Sequence, residues 1–434
     1  MKIKKVTLEN YKGFVNKTFD INERFTVFIG KNAKGKTSIL DALSVAVGGY
    51  LLGIDTSKSE AKGIGQSAIR VHTIDNEPRP QLPSKITAEG EMEGENIGWV
   101  RYIDEITKKT TTKYRVTKGY KSIKSIAEAN LKKSRDKGGV TFPLIVYHGT
   151  GRLWAEHEKI NYKEQTEGVG MAYKYCLSRK SSSLEFLEWY KTYEDEILKF
   201  DQPKDKILLE VFKKGIATMI PDNRWQDMAF SNKDSDLIGI FTDNSGNKEK
   251  LKYKQLSDGY RGVIGMVADI IYRCIKLNPH LGDKVLTETS GVVLIDELDL
   301  HLHPSWQVKI VSDLKDVFPK IQFVATTHSP YILQSLSIDE IRNLDNDEEL
   351  LESPKDMPLS KVSSEIMNVN VRSDDFEVRY KKAIIEMGKI ENKGKEISLD
   401  DYKKISLSLG ELIKSETTDP VLKAYIEKSD DKKQ

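Results

Sequence analysis

Three short, nearly continuous apolar runs lack the polar alternation that marks a half-buried strand. They lie at residues 25–29, 292–295 and 321–325. Strands that are covered by helices on both faces show this pattern. Apolar residues at helical spacing follow the first run and precede the second; they are Ile39, Leu40, Leu43 and Val47, then Val263, Val267, Ile270, Ile271 and Cys274. The pattern predicts an α/β fold, with a mixed or parallel sheet and flanking helices.

Other segments predict further strands and helices around this sheet. Alternating or β-branched segments predict strands at 3–14, 18–21, 86–88, 98–102, 110–116 and 143–147, and a hairpin at 237–253. Helical spacing predicts helices at 121–137, 184–200, 204–219, 376–390, 402–414 and 421–426. The glycine-rich passage 48–65 predicts a mobile connection, and the prolines at 78, 80 and 83 predict a turn before the next element.

The order of these elements suggests how the chain is divided. We expect a head built from residues 1–50 and 140–350, with a helical subdomain at 155–235. A β-rich insertion with a basic helix occupies 51–139, and a helical C-terminal extension occupies 355–434. The lysines of the basic helix have two interpretations, a solvated face or a nucleic-acid contact.

Composition restricts the classes of function. The 434 residues leave room for two or three domains, or for one large domain with insertions. Lys and Arg total 68 and Asp and Glu total 66, and a net charge of +2 makes no global case for nucleic acid. Cys176 and Cys274 lack metal-ligand spacing. With no leader-like or membrane-spanning apolar stretch, we expect a cytoplasmic protein and no membrane partner.

The segment GKNAKGKT at residues 30–37 carries the clearest chemistry. It joins a predicted strand to a predicted helix, the context in which a glycine-rich loop binds phosphates through backbone N–H groups. Lys36 would reach the β- and γ-phosphates, and the Thr37 hydroxyl would bind Mg²⁺. The residues predicted to bind the nucleotide here are Gly30, Lys31, Asn32, Ala33, Lys34, Gly35, Lys36, Thr37 and Ser38. A lysine-rich surface turn is the alternative.

Two acids and a histidine follow the other apolar runs. Asp296 and Glu297 end one strand, and His328 ends the next. Asp296 would bind Mg²⁺ together with Thr37, and Glu297 would accept a proton from the attacking water. His328 would hydrogen-bond the γ-phosphate. The combination predicts hydrolysis of a nucleoside triphosphate, with Glu297 and His328 as catalytic residues.

The segments GKNAKGKT, LSDGY, VVLIDELDLHLHP and FVATTHSP, in this order, resemble an ATP-binding cassette ATPase of the RecF and SMC type. The resemblance implies a Walker A loop, a signature motif, a Walker B strand with its D-loop, and a switch histidine. Residues 8–14 also resemble the opening strand of this group, which implies that Lys12, where arginine is usual, contacts ATP.

The resemblance implies ATP and Mg²⁺ as cofactors and a homodimer or higher oligomer that closes head to head. The signature residues Ser257, Asp258 and Gly259 would then meet the ATP bound by the other subunit. Asp258 and Tyr260 replace the commonest glycine and glutamine, and no clear glutamine loop is present; the strand that ends at His148 would take its place. The interval between the motifs holds no long coiled coil, which excludes a DNA-tethering rod.

Residues 148–154 and the helical tail resemble compact antiphage-defence ATPases, the Septu PtuA-like and retron-associated proteins. The resemblance implies that the ATPase controls a partner effector, a nuclease or a toxin. The alternative is a RecF-like ATPase of DNA repair, for which DNA is a possible partner and turnover would rise with duplex DNA. A transporter subunit is a third and less favoured hypothesis.

Several polar residues have competing interpretations. His301 and His303 could hold a metal, but a pair with no further ligand favours a structural role. Asp345 and Asp347 are interpreted as solvated loop acids, so that no nuclease site is expected. Arg152 and Trp154 would stack on a nucleotide or partner, or else pack in the core.

Overall fold

The computed structural model describes residues 1–105, 113–115, 122–153, 168–178, 184–200, 203–243, 245–346 and 352–369. The chain divides into two compact units, Met1–Val362 and Ser363–Gln434. The second unit is described only at 363–369, so the three helices predicted beyond residue 375 lie outside the described residues. The following paragraphs concern the first unit.

A five-stranded parallel sheet forms the centre of the unit. Its order is β15-β3-β14-β13-β9, with bounds β3 (Phe25–Ile29), β9 (Leu144–His148), β13 (Gly291–Ile295), β14 (Ile321–Thr326) and β15 (Ile341–Asn343). Every residue of β3, β9, β13 and β14 is buried. The apolar runs therefore predicted the strands of a sheet that is covered on both faces, and the α/β class is confirmed.

A second sheet is antiparallel and contains the N-terminal strands. Its order is β2-β1-β6-β7-β8, with bounds β1 (Lys2–Tyr11), β2 (Phe14–Asp20), β6 (Ser84–Met92), β7 (Glu95–Ile103) and β8 (Lys113–Arg115). The pairing of β6 with β1 joins the segment predicted as an insertion to the opening strand of the chain. Met1–Val362 forms one compact unit. The boundaries predicted for the head, the insertion and the helical subdomain therefore stay predictions.

The other described strands form two smaller sheets. The hairpin β4 (Val71–Ile74) and β5 (Glu77–Pro80) is exposed along its length. The third sheet is β10 (Trp225–Ser231), β11 (Asp236–Thr242) and β12 (Lys248–Lys252), all antiparallel. The predicted hairpin is thus present, while β10 was not predicted. Of the proline cluster, Pro78 and Pro80 lie in the edge strand β5, where a missing N–H costs no internal ladder bond. Pro83 lies in the three-residue connection between β5 and β6.

Helices pack on these sheets. The helices are α1 (Lys36–Leu51), α2 (Ile123–Lys137), α3 (Val169–Tyr173), α4 (Leu184–Phe200), α5 (Pro203–Met219), α6 (Asp258–Leu277), α7 (Val285–Glu288), α8 (Pro304–Gln307), α9 (Ile310–Val317), α10 (Pro330–Leu333) and α11 (Leu359–Lys361). Short 3-10 turns occur at 55–60, 66–68, 150–153, 253–255, 279–284, 338–340 and 354–356. A π-helix, Val362–Ile366, begins at the last residue of this unit.

The helix α1 is longer than the glycine pattern suggested. It continues through Gly48 and Gly49, both buried, so the connection predicted from residue 48 was wrong in its first part. A Cβ added at Gly48 would lie 3.2 Å from the Lys62 backbone nitrogen. The two glycines therefore allow neighbouring segments of the same chain to approach α1 closely. This packing outweighs the low helix propensity of glycine.

Candidate functional site

The site forms where four parallel strands end on the same edge of the central sheet. The phosphate loop follows β3, Asp296 and Glu297 follow β13, and β15 leads to Asp345. Strand β14, between β3 and β13, ends at Thr326. The carboxyl ends of parallel strands are the usual ligand-binding edge of an open α/β sheet. The sheet order therefore brings together segments that lie far apart in the sequence.

The loop 30–37 is a tight turn with three residues at positive φ. Gly30, Ala33 and Gly35 have φ values of 143°, 67° and 98°. A Cβ added at Gly35 would lie 2.7 Å from the ring of Phe14, so a side chain at this position has no room. The Ile39 N–H donates to the Gly35 carbonyl at 3.0 Å and starts α1 directly after the loop. The free N–H groups at the start of α1 suit an anion.

Lys36 is held against its own loop. Its Nζ donates to the carbonyl oxygens of Gly30 at 2.6 Å and of Lys31 at 3.3 Å. Burial lowers the pKa of Lys36, and the nearby carboxylates of Asp345 and Asp296 oppose that shift. The ammonium group is therefore already fixed at the mouth of the loop where a phosphate would arrive.

Asp296 connects two strand ends. The Thr37 hydroxyl donates to its two carboxylate oxygens at 3.2 and 3.0 Å, and the Thr326 hydroxyl donates at 2.7 Å. Its backbone N–H donates to the His148 carbonyl at 2.8 Å, and the residue is only 4% exposed. Thr37 and Asp296, predicted as metal ligands, are thus adjacent. A hydroxyl beside a carboxylate is a hard oxygen set that fits Mg²⁺, which keeps several waters at phosphate sites.

Glu297 and His328 lie on the same edge. The Glu297 backbone has φ 50°, and its N–H donates to the Thr326 hydroxyl at 2.8 Å. His328 is exposed, and its N–H donates to a carboxylate oxygen of Asp299 at 3.2 Å. The Thr327 hydroxyl donates to the same oxygen at 2.6 Å. The sequence motifs contain Thr326, Thr327 and Asp299, but none of these three residues was predicted to have a role in the site.

Lys12, predicted to contact ATP, forms an ion pair with Asp41 of α1. Its backbone is left-handed, with φ 48°, and its N–H donates to the Ala68 carbonyl at 2.7 Å. The lysine is thereby tied to the helix that follows the phosphate loop. Of the remaining loop residues, the exposed ones are Lys31, Asn32, Ala33 and Lys34, and Ser38 is half-buried.

The interpretation of Asp345 as a solvated acid was wrong. Its side chain is 8% exposed, and one carboxylate oxygen accepts the Lys31 N–H at 2.8 Å. The other oxygen lies 3.6 Å from the Lys34 ammonium nitrogen. The short strand β15, which was not predicted, pairs with β3 and carries Asp345 to the phosphate loop. Asp347 lies outside the described residues.

The signature segment lies at the N-terminus of α6. Ser257 is the N-cap residue and is exposed, and Asp258 forms an ion pair with Arg261. A Cβ added at Gly259 would lie 2.9 Å from the His301 carbonyl oxygen, so only glycine allows this approach without a shift. The signature therefore contacts the segment that follows the two acids.

An open cleft of about 790 Å³ lies beside the signature. Its lining residues are Pro221, Asp222, Asn223, Arg224, Ser257, Asp258, Gly259, Tyr260, His301, His303 and Trp306. The Tyr260 hydroxyl donates to Asp222, which also pairs with Arg224 at 2.9 Å. The Tyr260 and Trp306 rings meet edge to face with centroids 4.7 Å apart. Tyr260, which replaces the usual glutamine, thus joins the signature to the segment before β10.

Two histidines outside the predicted catalytic set, His148 and His303, occupy structural positions. His303 caps α8 by accepting the Ser305 N–H at 3.3 Å. His148 is 3% exposed, and its Nε2 lies 3.6 Å from a carboxylate oxygen of Asp269, which also accepts from Arg273 at 3.0 Å. No cluster of three or more His, Cys, Asp or Glu side chains suited to a metal occurs within the described part of the chain. Trp154 lies outside that part.

None of the helices that the structure describes is long and apolar enough to cross a membrane.

Comparisons with known proteins agree with the motifs. The chain is 25% identical to the retron Vc95 probable ATPase of Vibrio cholerae serotype O1 biovar El Tor, over 86% of this chain and 80% of that protein. It is 38% identical to the Septu protein PtuA of Bacillus thuringiensis, over 28% of this chain and 30% of that protein. The predicted resemblance to retron and Septu proteins is confirmed.

The chain also matches a solved structure and a protein family. A solved SMC head bound to the C-winged helix domain of ScpA has a TM-score of 0.49 at 14% identity, covering 79% of this chain and 94% of that one. Residues 5–255, more than half of the chain, match the family AAA_23, described as an AAA domain. The chain belongs to the AAA_23 family of AAA domains.

Proposed function

We propose that this protein is an ATP-binding and ATP-hydrolysing switch that dimerises head to head around ATP and controls a partner effector in antiphage defence. The observation that supports it most is the contact of Thr37 with Asp296 beside Lys36 and Glu297. A phosphate loop, a magnesium-binding pair and a base then meet at one sheet edge, as phosphoryl transfer to water requires.

Binding begins at the loop. The backbone N–H groups of the loop and of the first turn of α1 hold the phosphates, and Lys36 transfers its donors from the carbonyls of Gly30 and Lys31 to phosphate oxygens. The exchange is favourable because a charged ammonium bonds more strongly to phosphate than to a neutral carbonyl. Mg²⁺, when bound by Thr37 and Asp296, supplies charge neutralisation for the phosphates.

In this proposal, hydrolysis needs a base for the attacking water and a residue that contacts the γ-phosphate. Glu297, half-buried and anchored through its N–H to Thr326, accepts the proton of the attacking water. His328 stands exposed at the next strand end and donates to the γ-phosphate. Its backbone is held by Asp299, which also binds Thr327, so the imidazole is carried on an ordered strand end.

The second subunit completes the site in this proposal. Ser257 and Asp258 are exposed at the N-terminus of a 20-residue helix, where the helix dipole favours an anion. Facing the ATP of a partner subunit, this end of α6 contributes Ser257 and the Gly259 backbone to the γ-phosphate. Loss of that phosphate would remove the contact and let the heads separate.

The defence role and the effector are supported by relatives. The chain is similar to a retron probable ATPase and to a Septu protein PtuA, and these similarities support a role in a system of the same kind. We infer that the ATP-dependent interface of this chain holds a nuclease or toxin and alters its activity as ATP is hydrolysed.

Lys36→Ala should weaken ATP binding by about 10- to 150-fold, because a charge-assisted hydrogen bond to phosphate is worth about 1.5–3 kcal/mol. Calorimetric titration with ATP and Mg²⁺ measures the affinity. Lys248→Ala, a change at an exposed lysine of β12, is the matched control and should bind as the wild type does. Wild-type affinity in Lys36→Ala would exclude the loop as the phosphate site.

Glu297→Gln should bind ATP normally but turn it over about 10²–10⁴-fold more slowly, because the amide cannot accept the proton. The trapped protein should accumulate as a closed dimer, measured by light scattering with ATP and with ADP. Normal turnover would show that Glu297 is not the base. Slow turnover with a monomer under both nucleotides would contradict the head-to-head closure.

Tagged wild-type protein, purified from the cells that encode it, should carry a nuclease or toxin in a fixed ratio. Mass spectrometry identifies the partner, and its activity should differ between ATP and ADP because the ATP-bound interface holds it. Lys36→Ala, in which nucleotide binding is weakened, is the control. The difference in partner activity between ATP and ADP should vanish in this variant. Purification without a partner, or a partner indifferent to nucleotide, would contradict effector control.

A further inference from the structure

Asp345 lies against the outer side of the phosphate loop. The Leu344 N–H donates to the Ile29 carbonyl at 2.9 Å, which continues the pairing of β15 with β3. A Cβ added at Gly30 would lie 3.2 Å from the Leu344 Cβ. The segment after β15 therefore runs along the beginning of the loop, and its position is set by the backbone.

The carboxylate of Asp345 has one strong hydrogen bond and several positive neighbours. One oxygen accepts the Lys31 N–H at 2.8 Å, and the other, buried and without a hydrogen bond, lies 3.6 Å from the Lys34 Nζ. Of the carboxylates that raise the pKa of Lys36, Asp345 has the largest effect. A carboxylate that is 8% exposed is costly unless it is paired, so these contacts explain its presence.

The hydrogen bond and the charge have opposite consequences for nucleotide binding. The bond to Lys31 keeps the loop in its turn conformation, so less ordering remains to be done when a ligand arrives. The negative charge attracts Lys34 and Lys36, the same groups that the phosphates must attract, and repels the phosphates themselves. Preorganisation strengthens binding, and the charge weakens it.

We propose that Asp345 is a positioning residue that sets the nucleotide affinity of the loop: its hydrogen bond preforms the loop, while its charge competes with the phosphates and speeds nucleotide release. The inference rests on the proposed nucleotide-binding role of residues 30–37. It assigns to the end of β15 a role in how long ATP or ADP stays bound.

Asparagine and alanine separate the two effects. Asp345→Asn has the same shape and keeps an oxygen for the Lys31 N–H, but it removes the charge. Asp345→Ala removes both the charge and the hydrogen bond. Asp339→Asn is the matched control, since Asp339 is an exposed acid close by in the chain, whose carboxylate accepts from Asn22 at 2.6 Å.

Titration with ATP and with ADP, together with stopped-flow release of a fluorescent ADP analogue, measures the outcome. Asp345→Asn should bind both nucleotides about three- to tenfold more tightly than the wild type and release ADP more slowly by a similar factor. Asp345→Ala should bind about tenfold more weakly than Asp345→Asn, because the loop has lost its anchor. Asp339→Asn should match the wild type.

A purely structural role of Asp345 predicts a different pattern. Asp345→Asn would then equal the wild type in affinity and release, and this result would overturn the inference while leaving ATP binding intact. Wild-type protein that binds neither nucleotide would overturn the proposed function itself, and the inference with it. Because asparagine is isosteric, the test does not depend on whether Asp345→Ala folds.

Discussion

The site depends on the hydrogen bonds that the carboxylate of Asp296 accepts. This carboxylate accepts hydrogen bonds from Thr37, which follows β3, and from Thr326, which ends β14, while it stands at the end of β13. One buried carboxylate thereby joins the end of β13, the end of β14 and the first turn of α1. Such a buried carboxylate is tolerated because it accepts hydrogen bonds from both threonine hydroxyls. The parallel sheet is what makes those ends coincide.

The phosphate loop is supported from several directions. Phe14 fills the space beneath Gly35, Lys12 is paired with Asp41 on the helix that follows, and Asp345 anchors the Lys31 N–H. These contacts within the protein hold the loop in its turn conformation, and carboxylates oppose the effect of burial on the pKa of Lys36. A preformed loop costs less to order on binding, which suits a site that must bind and release nucleotide repeatedly.

The sequence predicted the parts of this site that lie within continuous motifs. Strand, glycine loop and helix appear in order at β3 and α1, and Asp296 and Glu297 directly follow an apolar run, so both could be located from local pattern. Asp345 could not, because its proximity to the loop arises from the pairing of β15 with β3, across more than 300 residues of chain. A three-residue strand in a polar context carries too little pattern to reveal that pairing. The strand β10 was missed for a related reason, since WQDMAFS mixes polar and apolar residues and is stabilised by its partner β11.

In the proposed dimer each ATP site is built from two subunits, the loop of one and the signature of the other. Lys36→Ala should destroy the loop half, and Ser257→Asp should destroy the signature half by repelling the γ-phosphate. Each variant alone should be inactive, yet a mixed dimer would contain one intact pair of halves. The ATPase activity of an equal mixture should therefore rise to about a quarter of the wild-type value, since about half of the dimers are mixed and each has one working site of two. A mixture as inactive as its two components would contradict the composite site.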